Sequence, residues 1–101
     1  MKSKNEMEQS VINWANDRNL INYDNRFTQL AKVIEEVGEL AKAMLEKDQP
    51  KIIDSLGDVN VTLIILADQL KLSLGKCLET AFDEIKNRKG TTINGTFIKN
   101  N

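Results

Sequence analysis

Apolar residues recur at helical spacing over most of this chain, and four segments carry the pattern. Met7, Val11, Trp14, Ala15 and Arg18 lie on one stripe and predict a first helix over about residues 5–19. The polar linker Ile21–Asn25 is suited to a turn. Phe27, Leu30, Ala31, Ile34, Val37, Ala41, Met44 and Leu45 follow the i, i+3, i+4, i+7 rule and predict a second helix from about Phe27 to Lys47. Asp48 is an N-cap and Pro50 suits the first turn of a third helix running to about Leu70. Its main stripe is Ile52, Leu56, Val59, Leu63, Ala67 and Leu70, while Asp54, Asp58, Val61 and Ile65 lie opposite. Ser73 caps a fourth helix with Leu74, Cys77, Leu78, Ala81, Phe82 and Ile85 on one side, and Gly90 is its expected stop. Ile93–Ile98 then reads as a hairpin around a type I′ Asn94-Gly95 turn.

The third helix is apolar on two faces toward its end, so both must be covered. Three short neighbours are a poor cover, and a homodimer or homotetramer with Val61 and Ile65 near the interface is the simpler expectation. The hairpin is marginal alone and should dock on the bundle or on a partner.

The chain has 101 residues, enough for one domain spanning 1–101 with a modest core. Its net charge of −1 gives no electrostatic case for nucleic-acid binding. The single cysteine, Cys77, excludes an intrachain disulfide and fits a reducing, cytoplasmic setting; its place on the apolar stripe predicts a core position. No apolar run reaches the ~18 residues of a membrane span, and no secretory signal follows the lysines at the N-terminus. The absence of histidine removes the usual zinc sets, histidine-dependent triads and the ferritin-like di-iron site. An acidic metal site here must be all-oxygen, which favours Mg²⁺ or Mn²⁺.

Two acidic clusters stand out on the second and third helices: Glu35-Glu36-Val37-Gly38-Glu39 and Asp54-Ser55-Leu56-Gly57-Asp58. At about 100° per residue the three glutamates form one patch on the flank of the apolar stripe. Like charges at this spacing repel, and a divalent cation would offset the repulsion. With the two helices antiparallel, Glu39 lies nine residues before Asp48 and Asp58 ten after it, at nearly the same height. Geometry then groups Glu36, Glu39 and Asp58, with Asp54 a weaker member one turn nearer the connection. Gly38 and Gly57 beside them would allow close approach of the backbones.

The pairing of E-E-V-G-E-L with D-S-L-G-D-V, within about Gln29 to Lys89, resembles the MazG-like, all-α nucleotide pyrophosphohydrolases, whose signature is E-x-x-E on one helix and E-x-x-D on the next. The resemblance implies a four-helix bundle of the MazG type and Mg²⁺-dependent cleavage of a nucleoside triphosphate to monophosphate and pyrophosphate. It implies Glu36, Glu39, Asp58 and Asp54 as metal ligands, with Glu39 and neighbouring Glu35 as catalytic carboxylates. Ser55 stands where the family has glutamate; Asp54 or a water fills that role. Lys86, Arg88 and Lys89 compensate the dipole at the end of the fourth helix or, as the resemblance implies, clamp phosphates. Trp14 is a core residue or a stacking surface for the base, and Tyr23 fits either role. Thr62 belongs to an interface or reaches the sugar or base. The competing readings are a solvated acidic face and a non-catalytic oligomeric module that binds nucleotides or partners.

Overall fold

The computed structural model describes residues 3–100, so Met1, Lys2 and Asn101, and what was read from them, lie outside it. Four helices are followed by a hairpin: α1 Lys4–Asp17, α2 Arg26–Leu45, α3 Gln49–Gln69, α4 Leu74–Ile85, β1 Gly90–Ile93 and β2 Thr96–Lys99. A 3₁₀ turn, Tyr23–Asn25, leads into α2. Among the described residues no helix is long and apolar enough to cross a membrane.

Local chemistry explains the boundaries. The side chains of Ser3, Asp48 and Ser73 each accept a backbone N–H three residues on and so cap α1, α3 and α4. The first three helices close without glycine. Asn19, Lys47 and Lys71 take positive φ at the C′ position. The next N–H of each then reaches back to Ala15, Ala43 and Ala67. These closures end the helices one or two residues earlier than periodicity suggests. The hairpin turns on Asn94 and Gly95, both at positive φ, as the type I′ pattern requires. Gly90 is not a helix stop: α4 ends at Ile85, and Gly90 pairs with Lys99 in the ladder. A Cβ at Gly90 would run into the Ile98 carbonyl and the Phe97 ring, so the strand crossing itself demands glycine.

α2 and α3 form the centre of the molecule as an antiparallel pair. Gln29 Nε2, near the start of α2, donates to the Thr62 carbonyl on the later part of α3 at 3.1 Å. The face of α2 turned to α3 is Gln29, Val33, Glu36, Leu40 and Ala43. The apolar stripe that defines this helix in the sequence points the other way: Phe27 is 69%, Ile34 65% and Leu45 85% exposed. α3 likewise turns Ser55, Thr62, Ile65 and Gln69 inward and leaves Ile53 and Leu56 outside. Ile65, expected near an interface, is 4% exposed and part of the chain's own core. Gln69 ties that end together by donating to the Leu20 carbonyl at 2.9 Å.

The core is small. Ala15, Val33, Ala43, Ile65 and Ala67 are its buried apolar members, and no large side chain among the described residues is fully buried. The radius of gyration, 16.1 Å, exceeds the ~13 Å of a compact chain of this length. α4 holds no buried residue, so Cys77 is exposed rather than core, and both hairpin strands are exposed throughout. The hairpin is not docked on its own chain. α4 is fastened to α1 through Glu8, whose Oε1 accepts from Ser73 Oγ at 3.2 Å and Gly75 N at 3.4 Å.

Candidate functional site

The late half of α2 and the early half of α3, joined by the tight turn through Lys47, enclose a polar pocket of about 220 Å³. Glu39, Glu46, Asp54 and Asp58 contribute carboxylates to its walls, Lys42 and Lys51 contribute ammonium groups, and Ser55 and Ala43 complete it. The helical period places them there. Glu39, Lys42 and Glu46 follow one another at three- and four-residue steps on α2, as do Lys51, Asp54 or Ser55, and Asp58 on α3.

Glu39, Asp54 and Asp58 thus meet in one pocket. Asp54 lines it together with Glu39 and Asp58, although its side chain is exposed. Glu36 does not line this pocket. Its side chain is packed beside α3, only 15% exposed, with the Lys32 ammonium 3.5 Å away. Glu35 is turned to solvent and paired with Lys32 at 3.4 Å. Lys32 therefore answers part of the repulsion in the glutamate cluster without any metal. Its own pKa is raised, chiefly by the hydrogen bond and charge of Glu35.

Ser55 is only 8% exposed and lines the pocket. Together with three carboxylates it makes an all-oxygen donor set of the kind hard divalent cations take. As the side chains stand, no group of three or more acidic, histidine or cysteine residues among those described converges closely enough to hold an ion. Glu39 and Asp54 are exposed side chains, however, and such groups change rotamer on the picosecond to nanosecond timescale.

The other expected site residues lie elsewhere. Lys86 caps the end of α4 and pairs with Asp83 at 3.1 Å. Arg88 and Lys89 lie beyond that helix, leading into the hairpin. Trp14 is not core: it is 47% exposed, with the Arg18 guanidinium 4.2 Å above its ring. Tyr23 is stacked in the same way by Arg26, at 3.9 Å. Thr62 is buried, and its hydroxyl donates to the Val59 carbonyl at 2.9 Å. None of these residues lines the acidic pocket. Nor do Gly38 and Gly57 bring the backbones together, since a Cβ on either would meet nothing within 4 Å. Lys42 and Lys51 went unnoticed in the sequence, although Lys42 is three residues from Glu39 and Lys51 three from Asp54. A larger open cleft of about 1170 Å³ lies between α1 and α4; of the carboxylates that line it, Glu8, Asp68 and Glu79, Glu8 is engaged in capping α4.

Fold and site together define a small, mostly helical chain with a pocket of carboxylates and lysines between two antiparallel helices. The family model for the MazG nucleotide pyrophosphohydrolase domain matches residues 25–92, and the chain belongs to that family. The match runs from α2 to β1 and contains the whole pocket. The chain is 35% identical over 69 residues to the "Uncharacterized 18.2 kDa protein in rep-hol intergenic region" of Haemophilus phage HP1 (strain HP1c1). That match covers 68% of this chain and 42% of the relative. No solved structure matches the chain. Family membership indicates nucleotide pyrophosphohydrolase chemistry in general.

Proposed function

We propose that this chain is a Mg²⁺-dependent nucleoside triphosphate pyrophosphohydrolase, cleaving a ribo- or deoxyribonucleoside triphosphate to the monophosphate and pyrophosphate. The observation that supports the reading is that Glu39, Asp54, Ser55 and Asp58 line one pocket. These four would hold Mg²⁺, with Mn²⁺ as the alternative ion. When bound, the ion neutralises charge on the phosphate oxygens and lowers the pKa of an attacking water. Glu39 is the carboxylate best placed to take the proton of that water, because Glu35 is turned away and paired with Lys32. Lys42 and Lys51 also line the pocket, with the Lys51 ammonium 4.0 Å from the Glu46 carboxylate, and they would meet an anionic phosphate chain there. Glu36, outside the pocket and paired with Lys32, would become a ligand only after leaving that lysine.

A second reading rests on the same two lysines. With Ser55 in place of a carboxylate and two ammonium groups in the walls, the pocket suits phosphate binding without turnover, as in a nucleotide sensor. A panel of NTPs and dNTPs with Mg²⁺, analysed for products, separates the two. Monophosphate and pyrophosphate in equal amounts support the hydrolase. Orthophosphate release, or binding with no product from any member of the panel, contradicts it.

A further inference from the structure

The net charge of −1 is the sum of two unlike parts. Residues 1–85 carry ten basic and fifteen acidic side chains, whereas residues 86–101 carry Lys86, Arg88, Lys89 and Lys99 and no acidic residue. The fold gathers these four in one place. Lys86 closes α4, and Arg88 N donates to the Ile85 carbonyl at 2.9 Å in the turn that follows. Asn100 N donates to the Lys89 carbonyl at 2.8 Å, and Lys99 pairs with Gly90, so Lys89 and Lys99 stand one step apart at the open end of the hairpin. Compensation of the α4 dipole accounts for Lys86, which also pairs with Asp83. It does not account for Lys99, which returns to the same place on the other strand. Among the described residues, none of Arg88, Lys89 and Lys99 is in an ion pair.

The register sorts the rest of the ribbon. Side chains alternate between its faces, so Gly90, Thr92, Phe97 and Lys99 share one face and Thr91, Ile93, Thr96 and Ile98 the other. The Phe97 ring lies across Gly90, where an added Cβ would stand 2.6 Å from Cζ. One side of the ring is thus spent on the glycine, yet Phe97 remains 49% exposed. An open aromatic face, a threonine hydroxyl and an ammonium share one side of an undocked ribbon, with further cations at its base. That is the chemistry single-stranded nucleic acid meets: bases stack on aromatic rings, while Lys, Arg and hydroxyl groups hold phosphates. A duplex fits less well, because its paired and stacked bases offer the ring no free face. A membrane surface fits less well, because Ile93 and Ile98 lie on the face opposite Phe97 and Lys99.

We propose that the C-terminal hairpin is a docking surface for single-stranded nucleic acid, with a base stacked on Phe97 and phosphates held by Arg88, Lys89 and Lys99. The proposal does not depend on the catalytic reading, and turnover is not its readout. The test is fluorescence anisotropy of an end-labelled oligothymidylate about 15 nucleotides long, titrated with the full chain in EDTA so that no divalent ion bridges the strand to the acidic pocket. Log affinity should fall against log salt with a slope of about −2, as three phosphate contacts on a single strand require. Arg88→Gln, Lys89→Gln and Lys99→Gln should each reduce that slope by about 0.7. Phe97→Leu covers Gly90 without an aromatic face and should weaken binding roughly fivefold to a hundredfold at unchanged slope. Phe97→Tyr keeps the ring and should bind as the wild type does, and Lys76→Gln at the far end of α4 should change neither affinity nor slope. The proposal is overturned if the strand does not bind at low salt, or if a duplex of the same length or vesicles of phosphatidylserine bind more tightly. It is overturned equally if Phe97→Leu binds as the wild type does, if Phe97→Tyr fails with it, or if Lys76→Gln loses as much as Lys99→Gln. A Lys99→Gln variant that changes the sedimenting mass of the chain but not its affinity for the strand would assign the hairpin to contact between copies instead.

Discussion

The face of α2 that packs on α3 and the face that points away from it differ in the opposite sense from an ordinary amphipathic helix. The inner face carries Gln29, Val33, Glu36, Leu40 and Ala43, two of them polar and one small. The outer face carries Phe27, Leu30, Ile34, Val37, Met44 and Leu45. A purely structural protein would reverse this, because large apolar side chains gain most from burial. Giving the intrachain seam to polar and small residues leaves room between α2 and α3 for Glu39, Asp54, Ser55 and Asp58. The apolar residues displaced to the outside have no cover within the chain.

The comparison breaks if substitutions in the seam and on the outer face have the same consequence. The largest expected effect belongs to the seam. Glu39→Gln keeps the shape and removes a charge, so turnover should fall roughly 10²-fold or more while thermal unfolding is unchanged or moves slightly upward. Steady-state kinetics beside a melting curve checks both, and full turnover in this variant would remove Glu39 from the site.

A smaller effect is expected at the phosphate-facing lysines. Lys51→Met retains the apolar stem but removes one charge-assisted contact, so KM for the triphosphate should rise roughly tenfold to a hundredfold. Lys86→Met should leave KM unchanged, because Lys86 is engaged with Asp83 away from the pocket. A larger effect at Lys86 than at Lys51 would move the phosphate contacts to the end of α4.

Much of the fold was legible in the chain, and its limits have physical causes. The periods, the caps at Asp48 and Ser73 and the Asn94-Gly95 turn locate every element. Helix ends were missed by one or two residues because Asn19, Lys47 and Lys71 take positive φ without being glycine. The burial of α2 is not legible in its periodicity, which marks an apolar face without saying what covers it. In the site, the level match of Glu39 with Asp58 followed from counting residues across a short turn. The places of Asp54 and Glu36 did not, because they depend on how the two helices are rotated, and rotation is set by the small seam residues Ala43 and Ser55.

Two smaller effects sharpen the contrast. Ser55→Glu adds a carboxylate to the pocket and should tighten Mg²⁺ binding roughly tenfold without nucleotide, whereas Asp54→Asn should weaken it. Calorimetric titration of the ion into both variants reads the difference; equal affinities would place the ion outside this pocket. Gly57→Ala fills open space in the interior of α3 and should stabilise the chain by about 0.5–1 kcal/mol with no change in affinity for metal. Denaturant unfolding measures this, and destabilisation would mean that Gly57 meets a surface outside its own chain.

The claim that the α2–α3 seam holds the divalent ion is tested most directly by paramagnetic broadening of backbone resonances as Mn²⁺ is titrated into the protein. Broadening should centre on the residues around Glu39, Asp54, Ser55 and Asp58, fade toward α1 and the hairpin, and disappear from the seam in Asp58→Asn. Broadening centred elsewhere, or spread evenly over the acidic surface and unaffected by Asp58→Asn, would contradict the account.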